Sequence, residues 1–248
     1  MQELADPLTT NPVKSGLLEQ FKGIANLFVS PSKTFAGVVA NRWWVIPFLL
    51  CVLAAMIYGA KTSHFRMEDL KADIRSDPGN SPDEVQRRIA NIDGQMKPHI
   101  TVWLLATSTA IVAAAHGVKV FGLALVIWLA LQLTTARVRY MVLVSTTAFI
   151  FLVKIPEAVL MAPLIIFKGT SRISLSPVVF LPFKWYGSPL YRLLSTFDIF
   201  SIWMGGLLVF ALPIVAGIST KKSVMTVGYL WGIWALGHIF LGNLVGIT

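Results

Sequence analysis

Five apolar runs, each long enough to cross a bilayer, dictate what this chain can become. A hydrocarbon core of about 30 Å takes roughly 17 to 25 residues of helix, and lipid offers nothing to bond an open backbone. The first run, residues 43–60, opens on Trp43 and Trp44 and closes near Tyr58, so amphipathic rings stand at both interfaces. Pro47 falls in its first turn, where a missing N–H costs least. Further spans are expected over 103–133, 141–167, 199–219 and 224–245. With 55% hydrophobic and 13% charged residues and a mean hydropathy of +0.69, the composition lies outside that of soluble domains. The fold class is an all-α polytopic membrane bundle.

The span count turns on Thr101–Leu133, which as one helix is about 50 Å long. A break near His116-Gly117-Val118-Lys119 would yield six spans. Each half would then hold only about 16 residues, short for a crossing, and Gly117 alone suits a tight turn. One long helix and five spans are preferred.

Flanking Lys and Arg set orientation. Lys14, Lys22, Lys33 and Arg42 precede the first span with little acid nearby, which puts the N-terminus in the cytoplasm. Five spans then place Arg137, Arg139, Lys221 and Lys222 on the same side and the C-terminus on the periplasmic or extracellular side. The loop carrying Lys168, Arg172, Lys184 and Arg192 falls outside, against the rule, and six spans would reverse that. The net charge of +9 fits membrane flanks facing anionic headgroups; no basic stripe or module for nucleic acid is present. The first 42 residues lack the apolar core and cleavage site of a signal peptide. A lone Cys51 excludes a disulfide framework.

Outside the spans, residues 1–42 form an N-terminal segment in which Leu17, Leu18, Phe21, Ile24, Ala25, Leu27 and Phe28 recur at helical spacing. This predicts an amphipathic helix, lying on the membrane surface or docked against neighbouring spans. Ser30-Pro31 then reads as a cap and first helical position for a second short helix carrying Phe35, Val38 and Val39. Within 43–248, the polar loop 61–98 holds seven basic and seven acidic residues. Its Ser81-Pro82-Asp83-Glu84 predicts a helix of about 15 residues with a stripe of Val85, Ile89 and Ile92. From Ser171 to Thr196, Pro177, Pro182 and Pro189 break any long helix, while Phe180, Phe183, Trp185 and Tyr186 argue against a free loop.

LFVSPSKTF at Leu27–Phe35, the TARVRYMVLVSTTAFIFLVKIP stretch, and LLSTFDIFSIWMGGLLVFALPIVAGIST at Leu193–Thr220 stand in an order and spacing that resemble the Yip family, Ypt-interacting-protein or Yip-domain membrane proteins, in its bacterial type. The resemblance covers some 220 residues, from about Leu17 onward. It implies five spans, a cytoplasmic N-terminus, and placement in a bacterial inner membrane. Eukaryotic relatives act in vesicle traffic and associate with small GTPases, but their acidic, tyrosine- and proline-bearing signatures are not present in full. GTPase interaction is therefore not carried over.

Chemistry has few footholds. His64, His99, His116 and His238 are not ligand-spaced, and no HExxH, P-loop, dinucleotide fingerprint or nucleophile elbow occurs. No enzyme, cofactor or metal is implied; membrane lipids, a second copy or other membrane proteins are the expected partners. Lys154 and Glu157, three residues apart with Pro156 between them, fall inside the span 141–167. Isolated charges there cost roughly 2.5 to 3.5 kcal/mol each, so they form either a packing pair or, with Lys119 and His116, the lining of a solute route. Asp198 precedes the 199–219 span as a helix-end acid or a partner contact, with Trp203 one turn in as an interfacial or bundle-facing ring. Gly228/Gly232 and Gly242/Gly246 make small-xxx-small pairs, for packing within the chain or between copies. The function expected is a membrane scaffold or adaptor in membrane organisation or trafficking-like processes, with a permease-like carrier as the alternative.

Overall fold

A computed structural model describes residues 17–41, 43–95, 102–133, 137–182, 185 and 188–245. Ten α-helices occur among them: α1 (Leu17–Val29), α2 (Pro31–Asn41), α3 (Val45–Ser76), α4 (Pro82–Gln95), α5 (Val102–Gln132), α6 (Tyr140–Phe151), α7 (Lys154–Lys168), α8 (Pro189–Ser195), α9 (Ile199–Ala216) and α10 (Thr220–Val245). Among the described residues four helical segments are long and apolar enough to cross a membrane: Val45–Ser76, Thr107–Gln132, Tyr140–Lys168 and Ile199–Ala216. α10 runs for 26 residues, about 39 Å. The 102–132 stretch is one helix, unbroken at His116-Gly117.

The centre of the bundle is α6. Val142 to Ile150 are all buried, Ser145, Thr146 and Thr147 included. A helix apolar on every face needs neighbours on every face, and α6 has them in α2, α3, α5 and α9. Its hydroxyls are satisfied locally: Ser145 donates to Met141 O, Thr146 to Val142 O and Thr147 to Leu143 O. Thr147 also reaches Val120 O of α5 at 3.2 Å, and the Tyr140 hydroxyl donates to Phe121 O at 2.9 Å. Such bonds suit a dry interior, where an open hydroxyl would be costly.

Docking against the bundle is the arrangement α1 adopts. Leu27 is 1% exposed and belongs to the core. α1 packs on α2, where Thr34 Oγ1 donates to Gly23 O at 2.8 Å, and α2 buries Phe35 and Val38 against α6 and α9. Phe21 and Val29 remain exposed, and Phe28 is partly exposed beside Trp203 of α9.

α3 departs from its expected end at Ala60 and stays helical to Ser76. Charged residues from Lys61 onward place this extension beyond the hydrocarbon; ion pairing and tertiary bonds hold it helical there. Lys71, only 6% exposed, meets Glu68 at 2.8 Å and Asp93 of α4 at 2.6 Å. α4 is the helix signalled by Ser81: that hydroxyl accepts from Glu84 N at 3.3 Å, and Val85, Ile89 and Ile92 are half-buried as α4 packs on α3. Between α7 and α9 the described residues include a 3-10 turn, Pro177–Phe180, and the short α8, capped by Ser188 Oγ on Tyr191 N. Phe183 and Tyr186 lie outside the described residues.

Candidate functional site: a charged pocket at the α6–α7 break

Pro156 explains why the expected 141–167 span is two helices. Its nitrogen has no hydrogen to give Leu152 O, and its ring crowds that carbonyl. The chain tightens instead: Leu152 N bonds Phe149 O, Val153 N bonds Ile150 O, and Ile155 N takes Leu152 O at 2.9 Å. Beyond this step α7 leaves the centre and packs along α3, with Ile165 its one buried residue. It ends at Gly169, whose φ of 69° is the left-handed conformation glycine adopts without strain and whose N–H bonds Ile165 O at 2.8 Å.

The step opens a pocket of about 270 Å³ between α3, α5 and the start of α7. Cys51, Ala54 and Ala55 supply small walls, and Phe151 at the end of α6 with Ile155 and Ala158 of α7 close the opposite side. Its polar lining is Tyr58, His116, Lys119, Lys154 and Glu157. Lys154 Nζ meets Glu157 Oε2 at 2.5 Å, both side chains about a third exposed. His116 Nδ1 is 3.0 Å from Val112 O; a carbonyl only accepts, so Nδ1 carries the proton. Lys119 is exposed and, among the described residues, has neither ion pair nor hydrogen bond. The four residues singled out from the sequence on separate runs thus meet in one place, joined by Tyr58, whose apparent role as an interfacial ring concealed its position facing Glu157.

A second polar cluster was not legible in the sequence. Asp69, in the extension of α3, accepts from Ser171 N at 2.7 Å, Ser171 Oγ at 2.6 Å and Thr170 Oγ1 at 3.0 Å, just past the end of α7. Arg172 donates to Asp69 O at 3.1 Å and pairs with Asp73. Partial burial acts to raise the Asp69 carboxyl, but the bonds from Ser171 and Thr170, with Arg172 nearby, outweigh it and hold the group below its ordinary range. On the same extension, Asp93 chiefly, then Glu68, hold the Lys71 ammonium above its ordinary range. Because 51–58 faces 154–158 and Asp69 faces 170–171, α3 and α7 run parallel, whereas Trp44 against Phe121 makes α3 antiparallel to α5.

Asp198 caps α9. Oδ1 accepts from Phe200 N and Ser201 N, both at 2.9 Å, and Oδ2 accepts from the Ser201 hydroxyl. These bonds satisfy the orphan N–H groups of a helix start. Trp203 turns to α1, edge-on to Phe28 at a centroid distance of 5.6 Å.

Gly228 and Gly232 are exposed on α10, and among the described residues a methyl added at either would meet nothing within 4 Å. The close approach is instead at Gly205 of α9, where a Cβ would lie 3.1 Å from the Trp231 ring. Gly242 falls within α10, its surroundings outside the described side chains, and Gly246 and His99 lie outside the described residues. Among the described residues no three His, Cys, Asp or Glu side chains are grouped to hold a metal ion.

Compared with known families, the chain matches the Yip1 domain model over residues 25–241. No curated protein and no solved structure matches it.

Proposed function

The chain belongs to the Yip family of membrane proteins, and from that premise we propose that it is a non-catalytic scaffold or adaptor that organises other membrane components. The supporting observation is the filled centre of the bundle: α6 is packed on every side and its hydroxyls are bonded to nearby carbonyls. A carrier built around a central site needs polar groups or broken helices facing a cavity at the repeat interface. Here the broken helix faces a side pocket, and the core beside it is apolar.

In the proposed topology α10 is the fifth span, after α3, α5, α6–α7 and α9. The N-terminus lies in the cytoplasm of a bacterial cell and the C-terminus beyond the inner membrane. The parallel course of α3 and α7 and the antiparallel course of α5 fit this alternation. α1, with Phe21, Phe28 and Val29 exposed, lies at the cytoplasmic surface while its Leu27 side docks inward. Partners are lipids, other membrane proteins or a second copy, the last through the outward face of α10 that carries Gly228 and Gly232.

Two measurements on the full chain test this. A photo-crosslinking residue at Tyr229, 73% exposed, should capture a defined membrane protein or a second copy in living cells. Reconstituted vesicles should show no ion or solute flux above empty ones. Flux that Glu157→Gln abolishes at normal protein level would replace the scaffold reading with the carrier.

A further inference from the structure

Lys119 lies well inside α5, about 25 Å from Val102 and about 20 Å from Gln132. A lysine near a helix end reaches the interface by extending its side chain; one at mid-span cannot cover that distance. An ammonium there needs a counter-charge, since an isolated one costs roughly 2.5 to 3.5 kcal/mol. Among the described residues Glu157 is the one acid lining the pocket, and it is paired with Lys154. Two lysines and one glutamate therefore line the pocket, and Lys119 has no ion-pair partner among the described residues.

We propose that this pocket binds a phosphate-bearing anion between Lys119 and Lys154, independently of any scaffold role. At about 270 Å³ it lies below the roughly 300 Å³ at which drug-sized ligand sites begin, so it takes a headgroup-sized fragment. Its surroundings favour an amphiphile. On α3 the residues flanking the lining, Leu49, Leu53 and Ile57, form an exposed apolar stripe at four-residue spacing, and Val118 and Val159 are exposed beside the pocket on α5 and α7. An acyl chain would lie along these while its phosphate meets the two ammonium groups. The Tyr58 hydroxyl supplies a further donor, and Glu157 holds Lys154 in place. A free phosphate ion shares the headgroup chemistry but gains nothing from the stripe.

The test uses the full chain in nanodiscs of zwitterionic lipid, with phosphatidylglycerol or inorganic phosphate added separately, read by native mass spectrometry of retained lipid and by thermal shift. Lys119→Gln is the chosen variant, because the exposed Lys119 has no protein partner among the described residues to lose. Phosphatidylglycerol should be retained and stabilising, and about tenfold weaker in Lys119→Gln, the effect of losing one charge-assisted contact. Equal stabilisation by inorganic phosphate, also lost in Lys119→Gln, would assign the site to a free anion. Indifference of the wild type to both, or a Lys119→Gln variant that binds as the wild type does, would overturn the proposal. Neither outcome bears on the crosslinking result.

Discussion

Replacing Asp69 isolates the fastening between the extension of α3 and the end of α7. The carboxylate accepts three hydrogen bonds from two residues, Ser171 N, Ser171 Oγ and Thr170 Oγ1. Bonds to a charged acceptor contribute about 1.5 to 3 kcal/mol each, so full additivity would exceed about 4.5 kcal/mol. The site is half-buried and water takes over part of each bond, which brings the expected cost of Asp69→Ala to about 2 to 3 kcal/mol. Asp69→Asn keeps one acceptor oxygen and should cost about half as much. The pH dependence follows from the lowered carboxyl. A group whose folded pKa is depressed contributes stability above its unfolded value, near 3.9, and loses it as pH falls through the folded value. The gap between wild type and Asp69→Ala should therefore be constant from pH 7 to about 5 and close only below about 4. Equilibrium unfolding in detergent micelles across that range, with amide exchange at residues 69–76 and 169–172, reads both quantities. An Ala variant within about 0.5 kcal/mol of wild type at pH 7, or an Asn variant as damaged as the Ala one, would refute the account.

Glycine positions give a paired contrast. Gly205→Leu should destabilise by about 1 to 3 kcal/mol by displacing Trp231, whereas Gly228→Leu, entering open space, should leave monomer stability within about 0.5 kcal/mol; thermal unfolding of both tests the assignment of faces. A double-mutant cycle on Lys154→Met and Glu157→Gln should give a coupling of about 1 to 2 kcal/mol, between the values for surface and buried pairs, and a coupling near zero would mean the pair holds nothing together. Asp198→Ala should cost about 1 kcal/mol through loss of the α9 cap, with Asp198→Asn retaining most of it.

What could be read from the sequence follows how local each cause is. The caps at Ser81 and Asp198 were legible because donor and acceptor lie within three residues. The α6–α7 break has an equally local cause, the N–H that Pro156 lacks, although the apolar run 141–167 reads as one span. Four spans were legible from apolar length, although the end of α3 was not: Lys71 stays helical through partners that include Asp93, on another helix. Asp69 and Ser171 are 102 residues apart, and no periodic signal links them. Nor does small-xxx-small spacing say which face of α10 turns inward; Trp231, a bulky residue between the two glycines, is what meets α9. The charged pocket lies between these extremes, its residues visible singly and their meeting set by the parallel course of α3 and α7.

That parallel course has a consequence for biosynthesis. Two parallel neighbours in a membrane cannot be joined by a short hairpin, so α3 must wait for its partner while α5 and α6 are made. The roughly 100 residues between Asp69 and Ser171 take about 5 to 20 s at ordinary elongation rates. During that interval the Asp69 carboxylate and the α3 wall of the pocket have no α7 beside them, and the nascent chain offers a half-built, polar-edged groove to whatever insertion machinery or lipid is near. Completion of α7 closes that groove, while α2 and α6 still wait for α9 to cover their remaining faces.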